Sequence, residues 1–164
     1  MRLNSRSPKD ATYPGLPVTC SGKQAVYWLG GSERVLDDVV MIRGARKPIF
    51  ICLREVRLLH KDGEFRCFAR DGKMLAVSRY FFADPPQSAL QPDEHIWDAA
   101  VSFYDKHLGT HYPDVVFDLY APGSAQELLI EINPYGMSHP CMFSGYGEIE
   151  EIGGVRQRAT ETPE

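Results

Sequence analysis

Residues 64–79 read EFRCFARDGKMLAVSR, and this stretch decides the fold class. Asp71-Gly72 is the pair that a two-residue type I′ turn demands, because both central positions must accept positive φ. Apolar and polar residues alternate on either side of it, the period of a strand with one covered face. Counting back from the turn pairs Arg70 with Lys73, Phe68 with Leu75, Arg66 with Val77 and Glu64 with Arg79. Cross-strand partners project to the same side, so all eight residues are expected on one sheet face. That face has an apolar middle and gathers Glu64, Arg66 and Arg79 at the end away from the turn. One reading of the three is a cross-strand salt bridge on a wet face, worth ~0.2–1 kcal/mol. The other is a pair of guanidinium forks meeting phosphate oxygens, with Glu64 holding one arginine in position.

Further along, DVVFDLYA (114–121) and ELLIEIN (127–133) flank the loop PGSAQ and read as an antiparallel pair of strands. In any register that pairs positions of odd summed number, Asp118 shares a face with Glu131 and Asn133. Two carboxylates and an amide oxygen are hard donors, suited to Mg²⁺ or Mn²⁺ and poorly suited to softer metals. Solvated strand ends are the alternative, a common fate of acidic residues.

The remaining elements follow from their caps and periods. Ser32 is placed to cap a short helix, SERVLDDVVMI, with Leu36, Val39 and Val40 on one face. PIFICLR (48–54) reads as a buried strand. Asp93 is expected to cap a helix running to about Leu108, stopped by Gly109, with Ile96, Ala100 and Phe103 on its inner stripe. Residues 10–25 carry no clear element signal. The expected class is α+β with antiparallel hairpins and packed helices, one domain over residues 1–150, and a disordered tail over 151–164.

Bulk properties narrow the function classes. The 164 residues carry a net charge of −4, with 43% hydrophobic and 24% charged residues. That balance gives no general electrostatic case for nucleic acid or an anionic membrane. No apolar run approaches the ~18 residues of a membrane span. MRLNSRSPKD lacks the apolar segment of a signal peptide. Cys20, Cys52, Cys67 and Cys141 are far apart and read as free thiols, so a cytoplasmic location is expected. His107 and His111 have helix-like spacing but no third ligand nearby for zinc. RSPKD (6–10) offers Arg6 and Lys9 beside backbone amides without the glycine run of a P-loop.

Taken in order, SPKDA, SERVLDDV, LREV, GEFRCFARDGKMLAVSRY, VVFDLY and LLIEINPYG resemble the blocks of the cell division cycle protein 123 family. The resemblance runs from about Arg2 to Gly147. It implies an ATP-grasp fold with ATP and Mg²⁺ held between two α+β subdomains. It places Asp118, Glu131 and Asn133 on the metal ligands, and Glu64 and Arg66 on nucleotide contacts. Arg79 lies beside or on the next basic contact. Cys52, Leu53 and Arg54 fall on the segment that meets the adenine, with Arg57 nearby, and Arg2, Arg6 and Lys9 match the basic strand and loop that reach the phosphates.

Members of that family usually have a further N-terminal subdomain before RLNSRSPKDA, so an N-terminally truncated ATP-grasp-like domain is expected. Glu131 stands where many eukaryotic members have Asp, and Arg2 where lysine is common. The resemblance implies a nucleotide-dependent assembly role, with translation initiation factor 2 as the protein partner of eukaryotic members. An ATP-dependent carboxylate–amine or carboxylate–thiol ligase acting through an acyl phosphate stays open beside it, as does a remnant that binds nothing. Whether the chain is an enzyme is left open.

Overall fold

The Asp71-Gly72 turn forms as its sequence demands, with φ of 51° and 73° at the two positions. It joins β3 (Glu64–Arg70) to β4 (Lys73–Arg79) in an antiparallel hairpin. The computed structural model describes residues 2–3, 7–11, 18–19, 21–123 and 126–157. The chain divides into two compact units, Met1–Leu58 and Leu59–Glu164. Residues 53–60 between them carry neither helix nor strand.

In the first unit, β1 (Arg2–Leu3) pairs antiparallel with β2 (Ile51–Cys52). Two helices follow β1 in sequence, α1 (Gly22–Gly30) and α2 (Glu33–Gly44). Ser21 and Ser32 cap them, each side-chain oxygen accepting a first-turn N–H, from Gln24 and Val35. The small core is Leu3, Leu29 and Val35, with Val39 and Ile49 against it. Two expectations are corrected here. Leu36 and Val40 of α2 are exposed, because this core covers only the narrow stripe through Val35 and Val39. PIFICLR supplies only a two-residue strand, and Phe50, Ile51 and Leu53 lie exposed.

The second unit is a five-stranded sheet in the order β6-β5-β3-β4-β7. β5 (Val115–Tyr120) and β6 (Leu128–Pro134) extend the hairpin antiparallel, as read from the sequence. β7 (Gly154–Arg156) adds a parallel edge to β4. Residues 154–156 of the tail expected from 151 pair in the sheet, and 158–164 lie outside the described residues. Helix α3 (Asp93–His107) lays Ile96, Ala100 and Tyr104 over Phe65, Cys67, Val77, Val115, Phe117 and Leu119. Full burial of side chains of this size contributes roughly 1.5–3 kcal/mol each. Pro92, not Asp93, holds the N-cap position of α3, and the Asp93 carboxylate accepts from Gln157 Nε2 instead. Tyr104 is buried deeper than the expected Phe103, its hydroxyl donating to the Tyr112 carbonyl at 3.0 Å.

The other sheet face is covered in part by the chain's C-terminal segment. Phe143 and Ile149, the latter on the short helix α4 (Tyr146–Glu151), pack on Phe68, Ala76 and Val116. The remainder of that face carries the charged residues.

Candidate functional site

The hairpin register sets which charges meet. From the turn, Arg70 pairs with Lys73 and Ala69 with Met74, and then Phe68 pairs with Ala76. Leu75 is the extra residue of a β-bulge, so every later partner on β4 moves by one. Arg66 faces Ser78 rather than Val77, and Arg79 faces Phe65 rather than Glu64. Phe65 belongs to the core under α3, so the bulge sends Arg79 to the opposite face from Arg66. The structure thus separates Arg79 from Glu64 and Arg66, which the sequence reading gathered on one face.

On its own face Arg66 meets Asp118 directly. β3 and β5 pair Arg66 with Asp118, and β5 and β6 pair Asp118 with Glu131. Asn133, opposite Val116, lies two residues along the same strand and on the same face. Ser78, Arg66, Asp118 and Glu131 therefore form one row across four strands, with Asn133 in the next row. From Val115 to Asp118 the pairs have odd sums, the condition under which the three residues share a face, and the register shifts beyond Asp118.

Arg66 and Asp118 are both buried, and their contact is a two-pronged charge-assisted pair. Nε donates to Asp118 Oδ1 at 2.8 Å and Nη2 to Oδ2 at 2.9 Å. Nη1 donates to the His139 carbonyl at 3.1 Å. The Tyr80 ring lies 4.8 Å from the guanidinium carbon, a cation–π contact. Burial opposes the charge on Arg66, but the hydrogen bonds and charge of Asp118 outweigh it and raise its pKa further. Tyr80, half-buried beside Asp118, has its hydroxyl pKa raised by burial and by that carboxylate.

The segment after β6 borders this row. Ser138 donates its N–H to the Tyr146 hydroxyl and accepts from it, and Met142 donates its N–H to Ser78 Oγ. Cys141 is buried there, and burial pushes its thiol up to about 11, so it is no nucleophile near neutrality. Neither Tyr80 nor this segment stood out in sequence. Only the bulge brings residue 80 beside Arg66, and no local motif marks Ser138–Met142.

Arg79 has structural work on the other face. Its Nη2 donates to the Phe82 and Asp84 carbonyls, and Nη1 lies 3.7 Å from Asp62 Oδ1. Asp62 Oδ2 accepts from Gln87 N, Ser88 N and Ser88 Oγ, which pins the loop after β4. Glu64 shares the face of Arg66 and lies opposite Tyr120.

The other candidate residues belong to the first unit. Arg2 sits opposite Cys52, and its Nε donates to the Leu3 carbonyl at 3.2 Å. Lys9 is exposed in a turn. Leu53 and Arg54 line a cavity of about 310 Å³ with Thr19, Ser21, Ala25 and Val56. Arg57 is exposed and lies 3.4 Å from Glu55. Arg6 lies outside the described residues.

Comparison with known proteins follows the same outline. A family model described as D123 matches residues 1–163. A Xenopus laevis protein named translation initiation factor eIF2 assembly protein is 30% identical over 154 residues, covering 82% of this chain and 44% of the relative. A Candida glabrata protein named cell division cycle protein 123 is 27% identical over 180 residues, covering 98% of this chain and 49% of the relative. The chain thus spans about half or less of the length of these curated relatives. The solved structure of C-terminally truncated Cdc123 from Schizosaccharomyces pombe superposes with a TM-score of 0.67 at 22% identity, over 96% of this chain and 70% of that one. That likeness establishes an ATP-grasp-like α+β fold. With the family model matched along nearly its whole length, this chain belongs to the D123 family, that of the cell division cycle protein 123 relatives.

Proposed function

We propose that the chain binds ATP with Mg²⁺ on the Arg66–Asp118–Glu131–Asn133 face and uses the bound nucleotide in a protein-assembly role. The observation that carries the reading is the register: it sets two carboxylates side by side with an amide oxygen one row away, on one face of an ATP-grasp-like sheet. The donor chemistry fits a hard divalent cation. Each Asp118 carboxylate oxygen accepts one Arg66 N–H. A cation would add to the charge compensation that Arg66 gives Asp118.

When bound, Mg²⁺ would screen the phosphate charge. The chain's own residues do the rest. Asp118, Glu131 and Asn133 would hold the ion. Arg66 orients the Asp118 carboxylate, and Tyr80 and the His139 carbonyl fix Arg66 in turn. On the strength of the family motif, Glu64 is a proposed further nucleotide contact within the same unit.

A partner of the eIF2 kind is proposed from the printed name of the relatives, eIF2 assembly protein. Capture of eIF2 subunits by the tagged chain, with and without Mg·ATP, tests this role. Capture that rises with Mg·ATP and falls to background in Glu131→Ala is the expected result. Capture that neither nucleotide nor Glu131→Ala alters would contradict it.

A further inference from the structure

The segment beside the charged row contains an exposed side chain that is held unusually firmly. His139 is exposed, yet its ring stacks on Phe82 with centroids 5.4 Å apart and planes 14° from parallel. Its carbonyl accepts from Arg66 Nη1, which ties its backbone to the residue that grips Asp118. Its Nδ1 accepts the Cys141 N–H at 3.0 Å. An imidazole nitrogen that accepts a hydrogen bond carries no proton, so the ring N–H is on Nε2. Cys141, which donates that N–H, has φ of 57°. No partner for Nε2 is found among the described residues. The chain thus presents one exposed donor, in one tautomer, on the segment bonded to Arg66.

A structural role alone explains this poorly. An exposed histidine needs no fixed tautomer to pack, and Phe82 would stack as well on an apolar residue. A donor fixed beside a metal-binding row has an evident use, because phosphate oxygens are strong acceptors and a preoriented donor loses little entropy on binding them.

We propose that His139 is a ligand-binding residue whose Nε2–H donates to a phosphate oxygen of the bound nucleotide, with Phe82 as the backing that holds the ring. The assignment rests on the nucleotide reading above, and one experiment separates the two. Calorimetric titration of the full chain with Mg·ATP is done for wild type, His139→Ala and His139→Gln, alongside ¹⁵N spectra of the wild-type imidazole. His139→Ala is expected to weaken Mg·ATP by about tenfold, the loss typical of a hydrogen bond to a charged group. His139→Gln, whose amide N–H replaces Nε2–H, is expected to restore most of that loss. The spectra are expected to show the Nε2–H tautomer in the free protein and a displaced Nε2 resonance with Mg·ATP.

Wild-type binding with unchanged affinity in His139→Ala overturns this assignment and leaves the nucleotide reading standing. So does an Nδ1–H tautomer, or an Nε2 resonance that Mg·ATP does not move. Absence of any wild-type binding overturns both. Should His139→Ala fail to fold, the wild-type spectra still decide.

Discussion

At the residue scale, Arg66 and Asp118 are each other's condition for burial. Removing one leaves the other as an uncompensated buried charge, a loss of roughly 3–5 kcal/mol. Arg66→Ala is therefore expected to destabilise the chain by that order in urea unfolding; a change within experimental error would show that the pair is not buried in solution. Asp62 makes a second prediction. Its burial raises the pKa, but hydrogen bonds from the Ser88 hydroxyl and from the Gln87 and Ser88 N–H groups lower it further than burial raises it. A carboxyl with a depressed folded pKa contributes stability above its unfolded value of about 3.9, lost as pH falls through the folded value. The stability advantage of wild type over Asp62→Asn should hold at neutral pH and shrink below about pH 4. An advantage that grows on acidification would contradict the hydrogen bonding described.

How far these residues were legible in sequence differs for a physical reason. Glu131 and Asn133 could be placed on one face because IEIN alternates, whereas Asp118 joins them only through the strand register, which the apolar run VVF does not fix. Arg79 could not be placed, since MLAV, residues 74–77, is apolar at every position and offers no mark of the bulge inside it. One extra residue there inverts the face of everything after it. Tyr80 was overlooked for the same reason, and it is the residue that actually lies against Arg66.

At the element scale, the hairpin turn and the Ser32 cap follow from local chemistry and were readable. Helix α1 was not. Its core positions Ala25 and Leu29 lie inside the contiguous apolar run AVYWL, which hides a helical period, and Gly22 and Gly30 stand at its ends. The bulge also has a packing partner. Gly153 has φ of +63°, and a Cβ placed on it would meet the Leu75 carbonyl oxygen at 2.5 Å. Gly153→Ala should destabilise by more than about 1 kcal/mol, since both the backbone conformation and the contact oppose it. A denaturation midpoint equal to wild type would show that β7 does not approach the bulge as described.

At the scale of the whole molecule, each unit is stabilised by its own core, and the row of Arg66, Asp118 and Glu131 lies wholly in the second. There the C-terminal segment completes the structure: without Phe143 and Ile149, the apolar half of the charged face would be open to water. The charged half is where the functional account stands or falls, and calorimetry with ATP in the presence and absence of Mg²⁺ reads it most directly. The wild-type chain is predicted to bind ATP in an Mg²⁺-dependent manner. Asp118→Ala and Glu131→Ala, each checked for folding by circular dichroism, are predicted to bind at least about tenfold more weakly. Unchanged affinity in both variants, or wild-type binding indifferent to Mg²⁺, would contradict the account.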